Sequence, residues 1–173
     1  ASNLPVRFRV FATDYDGTLA THGSVKPPTI AALHRLRDSG RKLLLVTGRE
    51  LPDLKKVFPE YGVFDRIVAE NGALLHRPES DEEKLLCEPP SAPLVQRLRA
   101  LGIPVSVGRA VIATTEPHHQ AVLAAVHELG LELQLTFNKG SVMVLPSGVN
   151  KATGLAHVLQ DLGEAAAGTV AIG

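Results

Sequence analysis

The sequence has no tryptophan, one methionine and one cysteine, and aromatic residues make up only 4% of it. Its core must therefore be assembled mostly from Leu, Val, Ile and Ala. The lone thiol, Cys87, cannot close an internal disulfide. That favours a reducing, cytoplasmic setting, and Cys87 is read as a small buried apolar side chain. Neither sign of charge is in excess: 18 basic and 18 acidic residues give a formal net charge of zero. No stretch concentrates Lys and Arg among aromatics, so the electrostatic footprint of nucleic-acid binding is missing. No apolar run is long enough to span a membrane, and the first residues lack the basic and apolar regions of a signal peptide. The densest acidic run, "ESDEE" at 79–83, reads as a solvated loop. The first residue is not Met, so a processed or engineered start is expected.

What is present suits one globular core with a small insert: 173 residues, 45% apolar and 21% charged. Residues 6–13, 42–47 and 66–69 read as continuous apolar strands. They alternate with helices expected at 27–40, where Pro28 suits the first turn and Gly40 the end, and at 52–58. That alternation implies an α/β, Rossmann-like parallel sheet covered on both faces, with strand order 3-2-1-4. The Asn-Gly pair in "AENGALL" (69–75) signals a hairpin. The pattern then changes to helix–strand–strand, twice: a helix at 91–101 capped by Ser91, strands near 103–107 and 110–115, a helix at about 117–129 with Pro117 in its first turn, and strands near 131–137 and 141–145. An amphipathic helix at 151–163 and a buried strand at 168–173 return to the first style. The expected organisation is a core of 1–80 plus 147–173, interrupted by an inserted α/β unit at 81–146.

Residues 8–19, "FRVFATDYDGTL", place Asp14 and Asp16 at the end of an apolar strand, followed at once by Gly17. Buried carboxylates are costly unless paired. Ligands of open parallel sheets bind beyond the carboxyl ends of the strands. There Thr47-Gly48-Arg49 and the loop 147–150 leading to Lys151 can join the two aspartates. Two carboxylates, a hydroxyl, loop amides and an ammonium together suit a Mg²⁺ ion and a phosphate.

"DYDGTL", "LLLVTGR" and the lysine of "SGVNKATGL" resemble the first three motifs of the haloacid-dehalogenase-like phosphatases. The insert between the second and third is similar to the type IIB cap of that family. The resemblance implies a Mg²⁺-dependent phosphatase acting on a small phosphorylated metabolite, by default a sugar phosphate. It implies Asp14 as nucleophile, Asp16 as general acid and base, Thr47 as a phosphate ligand and Lys151 as the balancing cation. Mg²⁺ would be held by the Asp14 carboxylate and the Asp16 carbonyl. Gly17 would let the chain turn into a flap at about 19–26. Candidate substrate contacts are Gly48, Arg49, Asn71 and Asn150 in the core, with Arg109, Asn138 and Lys139 in turns of the insert. The family's fourth, acidic motif is expected after the strand "TVAIG", so the chain reads as a piece of a longer protein.

Taken alone, each residue has a plainer role. Asp14 and Asp16 also suit a turn, Thr47 a helix cap, and Lys151 a solvated first turn. Asn71 suits the Asn-Gly turn and Arg49 a structural ion pair. Arg109, Asn138 and Lys139 suit solvated hairpin turns. Spacings do not support a zinc site or a nucleotide-binding loop. Two rival functions use the same residues: a phosphomutase, and a non-catalytic or regulatory domain of a longer protein.

Overall fold

The structure, a computed structural model, describes residues 8–173; the first part of the strand expected at 6–13 lies outside the described residues. Strands β1 (Val10–Asp14), β2 (Lys42–Val46) and β3 (Arg66–Ala69) are apolar along their middles because helices cover both faces of their sheet. The period of two divides them cleanly. Leu43, Leu45, Ile67 and Ala69 meet Leu33 of α1 (Pro27–Asp38), Leu51 and Leu54 of α2 (Leu51–Val57), Phe58 and Phe64. Leu44, Val46, Val68 and Ala12 turn the other way, onto Val158 and Leu159 of α5 (Lys151–Leu162). Each buried Leu, Ile, Val and Phe among them contributes about 1.5–3 kcal/mol by leaving water.

The larger sheet has six strands in the order β10-β1-β2-β3-β4-β5, with β4 at Leu74–Arg77, β5 at Glu82–Leu85 and β10 at Thr169–Ile172. β10, β1, β2 and β3 are parallel; β4 and β5 extend the sheet antiparallel. Glu82–Leu85, expected at the start of the insert and partly in a solvated loop, therefore belongs to the larger sheet. It is an exposed edge strand of polar residues, which is why no apolar pattern marks it.

The register decides where the site forms. Asp14 lies opposite Val46, and Val46 opposite Val68. The segments that follow these three strands therefore leave the sheet side by side at its carboxyl end. The turn after β3 runs through three consecutive left-handed residues, Glu70 (φ 51°), Asn71 (φ 58°) and Gly72 (φ 109°).

The smaller sheet, order β6-β7-β9-β8, holds Ser106–Val107, Ile112–Thr115, Ser141–Pro146 and Leu133–Asn138 respectively. Helices α3 (Ala92–Ala100) and α4 (His119–Glu128) cover one face through Leu94, Leu98, Val122 and Val126. Ser91 caps α3 through Leu94 N–H, as expected. Pro117 stands before α4 rather than in its first turn. The opposite face carries Met143 and Leu145, which with Val111 and Ala110 pack on Ala73 of the larger unit. The smaller sheet thus turns its second face toward the carboxyl end of the larger one.

Candidate active site

Alternation along β1 aims Asp14 and Asp16 into a cleft and drives Tyr15 into the core, where it is fully buried against Phe58. The Tyr15 hydroxyl donates to Gly23 O (2.9 Å), which fastens the loop 16–24 over the sheet end. Bridges between Asp16 and Ala20 and between Thr21 and Ser24 close that loop, with Gly17 at φ 78° supplying the sharp turn after Asp16.

Asp14 accepts three hydrogen bonds. Tyr15 N–H donates to Oδ1 at 2.8 Å, and Lys151 Nζ donates to Oδ1 and Oδ2 at 3.2 and 3.1 Å. Lys151 reaches it from the first turn of α5, a place where the helix dipole disfavours a cation. The position of α5 compensates. Asn150 caps the helix in a reciprocal capping box with Thr153, and glycines let α5 sit directly on the turn after β3. A Cβ on Gly154 would lie 2.7 Å from Gly72 Cα; one on Gly72 would lie 2.0 Å from Asn150 O.

Asp16 is gripped by Arg49. Nε and Nη2 each donate to one of its oxygens at 2.8 Å, while Nη1 donates to Asp53 at 2.6 Å. The hydrogen bonds to Asp16, with the one to Asp53, raise the Arg49 pKa above its ordinary value. The guanidinium also lies over the Tyr15 ring at 5.5 Å.

Thr47 is fully buried. Its hydroxyl accepts from Arg49 N–H (3.1 Å), its N–H donates to Val68 O, and its carbonyl accepts from Asn71 N–H (3.0 Å). Gly48 lies where a Cβ would stand 3.6 Å from Met143 of the smaller sheet and 3.8 Å from Asn71 Oδ1. The turns after β2 and β3 are thereby stitched together beneath the cleft.

The cleft has a volume of about 570 Å³. Of the residues expected to contact substrate, it brings together Gly48, Arg49, Asn71, Asn138 and Lys139 with Asp14, Asp16 and Lys151. It does not bring in Arg109 or Asn150, and Thr47, the expected phosphate ligand, lies buried behind Gly48 rather than on the cleft wall. Arg109 turns to Glu83 of β5 (3.0 Å), and Asn150 is occupied in capping α5. Thr136, Phe137, Ser141 and Met143, on the hairpin β8–β9, line the cleft without having been singled out in the sequence.

Glu70 also escaped notice. Its side chain is 1% exposed, and Oε2 accepts from Ala110 N–H at 3.2 Å, while Oε1 has no hydrogen-bond partner. Desolvation raises its pKa, partly offset by the amides of Ala110, Arg109 and Val111. Glu70 N–H donates to Arg49 O. One residue therefore ties the turn of the smaller sheet to the loop carrying Thr47 and Arg49. The signal was an acid directly after the apolar run "IVA" (67–69).

No three His, Cys, Asp or Glu side chains converge as a metal-binding group among the described residues. The hard oxygens of the cleft are the Asp14 and Asp16 carboxylates. Mg²⁺ keeps several waters and is commonly held by one or two carboxylates with substrate phosphate, so this donor set fits it, and zinc, which takes imidazole and thiolate, much less well.

A parallel-centred α/β sheet with aspartates at its carboxyl end, faced by a second sheet, defines a Rossmann-like α/β protein. The sequence model of the haloacid dehalogenase-like hydrolases matches residues 11–98. The chain belongs to that family. Among solved structures, a haloacid dehalogenase-like hydrolase of Bacteroides thetaiotaomicron aligns with a TM-score of 0.76 at 17% identity, covering 96% of this chain and 81% of that one. Thermoplasma acidophilum 0175 aligns with a TM-score of 0.77 at 15% identity, covering 96% and 76%. The subclass IIB sugar phosphatase BT4131 aligns with a TM-score of 0.72 at 16% identity, covering 94% and 79%. No curated protein sequence matches the chain. No helix among the described residues is long and apolar enough to cross a membrane.

Proposed function

We propose that the chain is a Mg²⁺-dependent phosphatase that hydrolyses small phosphate monoesters through an aspartyl-phosphate on Asp14. The observation that carries this reading is the Lys151 ammonium, held against both oxygens of Asp14 at the floor of the cleft. An ammonium there offsets the repulsion between a carboxylate nucleophile and a phosphate dianion, the principal task in phosphoryl transfer. An Asp14 oxygen attacks phosphorus while the bond to the leaving oxygen breaks and Asp16 gives that oxygen a proton. Asp16 then takes a proton from water as the water oxygen attacks phosphorus. Inorganic phosphate leaves and Asp14 is regenerated. The Thr47 hydroxyl and the amides around Gly48 would hold phosphoryl oxygens. Mg²⁺, bound through the Asp14 carboxylate and the Asp16 carbonyl, would supply positive charge to the phosphoryl group.

Arg49 must release Asp16 for the acid to reach the leaving oxygen, and the guanidinium is then free for the substrate. Residues 86–146 would act as a cap: their sheet closes the cleft from above and supplies Phe137, Asn138 and Lys139 on the side of the leaving group. The structural likeness to the sugar phosphatase supports a sugar phosphate as the default substrate class, and the single cysteine supports a cytoplasmic setting. The test is release of inorganic phosphate from p-nitrophenyl phosphate and a panel of sugar phosphates, with Mg²⁺ and with chelator. Mg²⁺-dependent release that disappears in Asp14→Asn is expected. Release that persists in Asp14→Asn at a tenth of the normal rate or more would overturn the mechanism.

A further inference from the structure

Two of the three cations lining the cleft are paired with carboxylates in this structure. Lys151 is paired with Asp14, and Arg49 with Asp16 and Asp53. Lys139 is the third, and no carboxylate lies within 4.0 Å of its ammonium among the described residues. It arrives from the opposite wall, at the tip of the hairpin β8–β9. Asn138 pairs with Ser141, leaving Lys139 and Gly140 as a two-residue turn with φ of 48° and 82°. Turns of that shape favour Asn, Asp or Gly in the first position, because a Cβ is strained at positive φ. A lysine there is a locally unfavourable choice, and backbone strain of this kind gathers at binding sites. Its ammonium hangs over the loop after Asp16: a Cβ on Gly17 would stand 3.7 Å from Nζ. It also lines an adjoining cavity of about 340 Å³ with Asp16, Thr21, His22 and Gly23, so it stands between the cleft and that second space.

We infer that Lys139 forms a subsite for a second anionic group on the substrate, a carboxylate or a further phosphate on the leaving-group side of the ester. The inference rests on the phosphatase reading and sharpens its substrate class. The transferring phosphoryl group is met by Lys151 and the loop 47–49 on the core side. The leaving group must lie toward the hairpin. A neutral polyol would find hydroxyl and amide partners in Ser141 and Asn138 but would offer the exposed Lys139 ammonium no counter-charge. An anion there gives a charge-assisted hydrogen bond. Phe137, half-exposed and set edge-on to His119 at 5.7 Å, supplies an apolar wall beside it.

The test uses matched substrates and the full chain. 3-Phosphoglycerate and glycerol 3-phosphate differ by a carboxylate; fructose 1,6-bisphosphate and fructose 1-phosphate differ by a phosphate. The expected result is a higher kcat/KM for one anion-bearing member. Lys139→Gln should lower that value about 10–100-fold, at least tenfold more than it lowers the matched neutral member. The pair that responds identifies the anion as carboxylate or phosphate. Equal losses on both members would place Lys139 on the transferring phosphoryl group and overturn the subsite, as would no loss on any. Calorimetric binding of 3-phosphoglycerate and fructose 1,6-bisphosphate, each against its matched neutral partner, separates the two readings. Lys139-dependent preference without turnover would overturn the phosphatase reading alone; turnover without that preference would overturn the subsite alone.

Discussion

Replacing Gly154 by Ala sets two opposed effects against each other. In a helix interior the change is favourable by about 1 kcal/mol, since Ala is the better helix former. Here the new methyl would meet Gly72 Cα and Val68 Cγ1, both at 2.7 Å. Carbon atoms prefer about 3.5–4.0 Å, so the overlap is roughly 1 Å. Val68 can yield by side-chain motion, but Gly72 is backbone within a run of left-handed residues stitched to Thr47 and Arg49. Overpacking of this kind costs about 1–3 kcal/mol. The net effect on stability is therefore small, about 0–2 kcal/mol of destabilisation, or at most a fall of about 8 °C in Tm for a chain of this size. The effect on activity is larger. Retreat of α5 by about 1 Å carries Lys151, one turn away, off contacts of 3.1 and 3.2 Å with Asp14. A misplacement of about 1 Å in a catalytic group costs about 10²-fold. Scanning calorimetry and phosphate release on the same preparation check both numbers. A Gly154→Ala protein that melts 2–4 °C higher and turns over normally would refute the reasoning.

Three further outcomes follow from the same contacts. Lys151→Ala should lower kcat about 10²–10³-fold, with a smaller change in KM, because the ammonium acts chiefly on charge developing in the transition state; steady-state kinetics at saturating Mg²⁺ tests this. Glu70→Gln should gain stability relative to the parent as pH rises. Burial holds the Glu70 pKa above its ordinary value, so the folded state binds its proton more tightly than the unfolded state does. Stability is then lost as pH rises from about 4.3 through the raised value and is level beyond it. Denaturant melts of both proteins from pH 4 to 8 would contradict this if their difference stayed constant. Arg49→Ala should weaken the tie between the loops after β1 and β2 and lower kcat/KM; recovery on adding guanidinium would assign the loss to the missing group.

Much of the parallel core was legible because it is buried on both faces, which leaves continuous apolar runs that composition alone marks as strands. Asp14, Asp16 and Thr47 stood out because they end or closely follow such a run, and Lys151 because it opens the amphipathic helix that precedes the last strand. β5 was illegible for the opposite reason: an exposed edge strand, "EEKL", has no apolar face to show. Glu70 was missed because its partners, the amides of residues 109–111, lie about forty positions away and only the docking of the smaller sheet brings them close. That docking also explains Arg109. The turn that carries it rests on Glu70, which points the guanidinium at Glu83 and away from the cleft. Lys139 sits in an equivalent-looking turn of the same sheet but overhangs the catalytic loop, a difference that only the tertiary arrangement creates.

The central claim is that Asp14 carries the phosphoryl group between substrate and water. Protein quenched in acid during turnover, reduced with borohydride and digested, should yield a peptide in which residue 14 has become homoserine, because an acyl phosphate is reduced and a free carboxylate is not. The modification should require both substrate and Mg²⁺ and be absent from Asp14→Asn. Rapid phosphate release with residue 14 unmodified, or with the modification on Asp16, would contradict it.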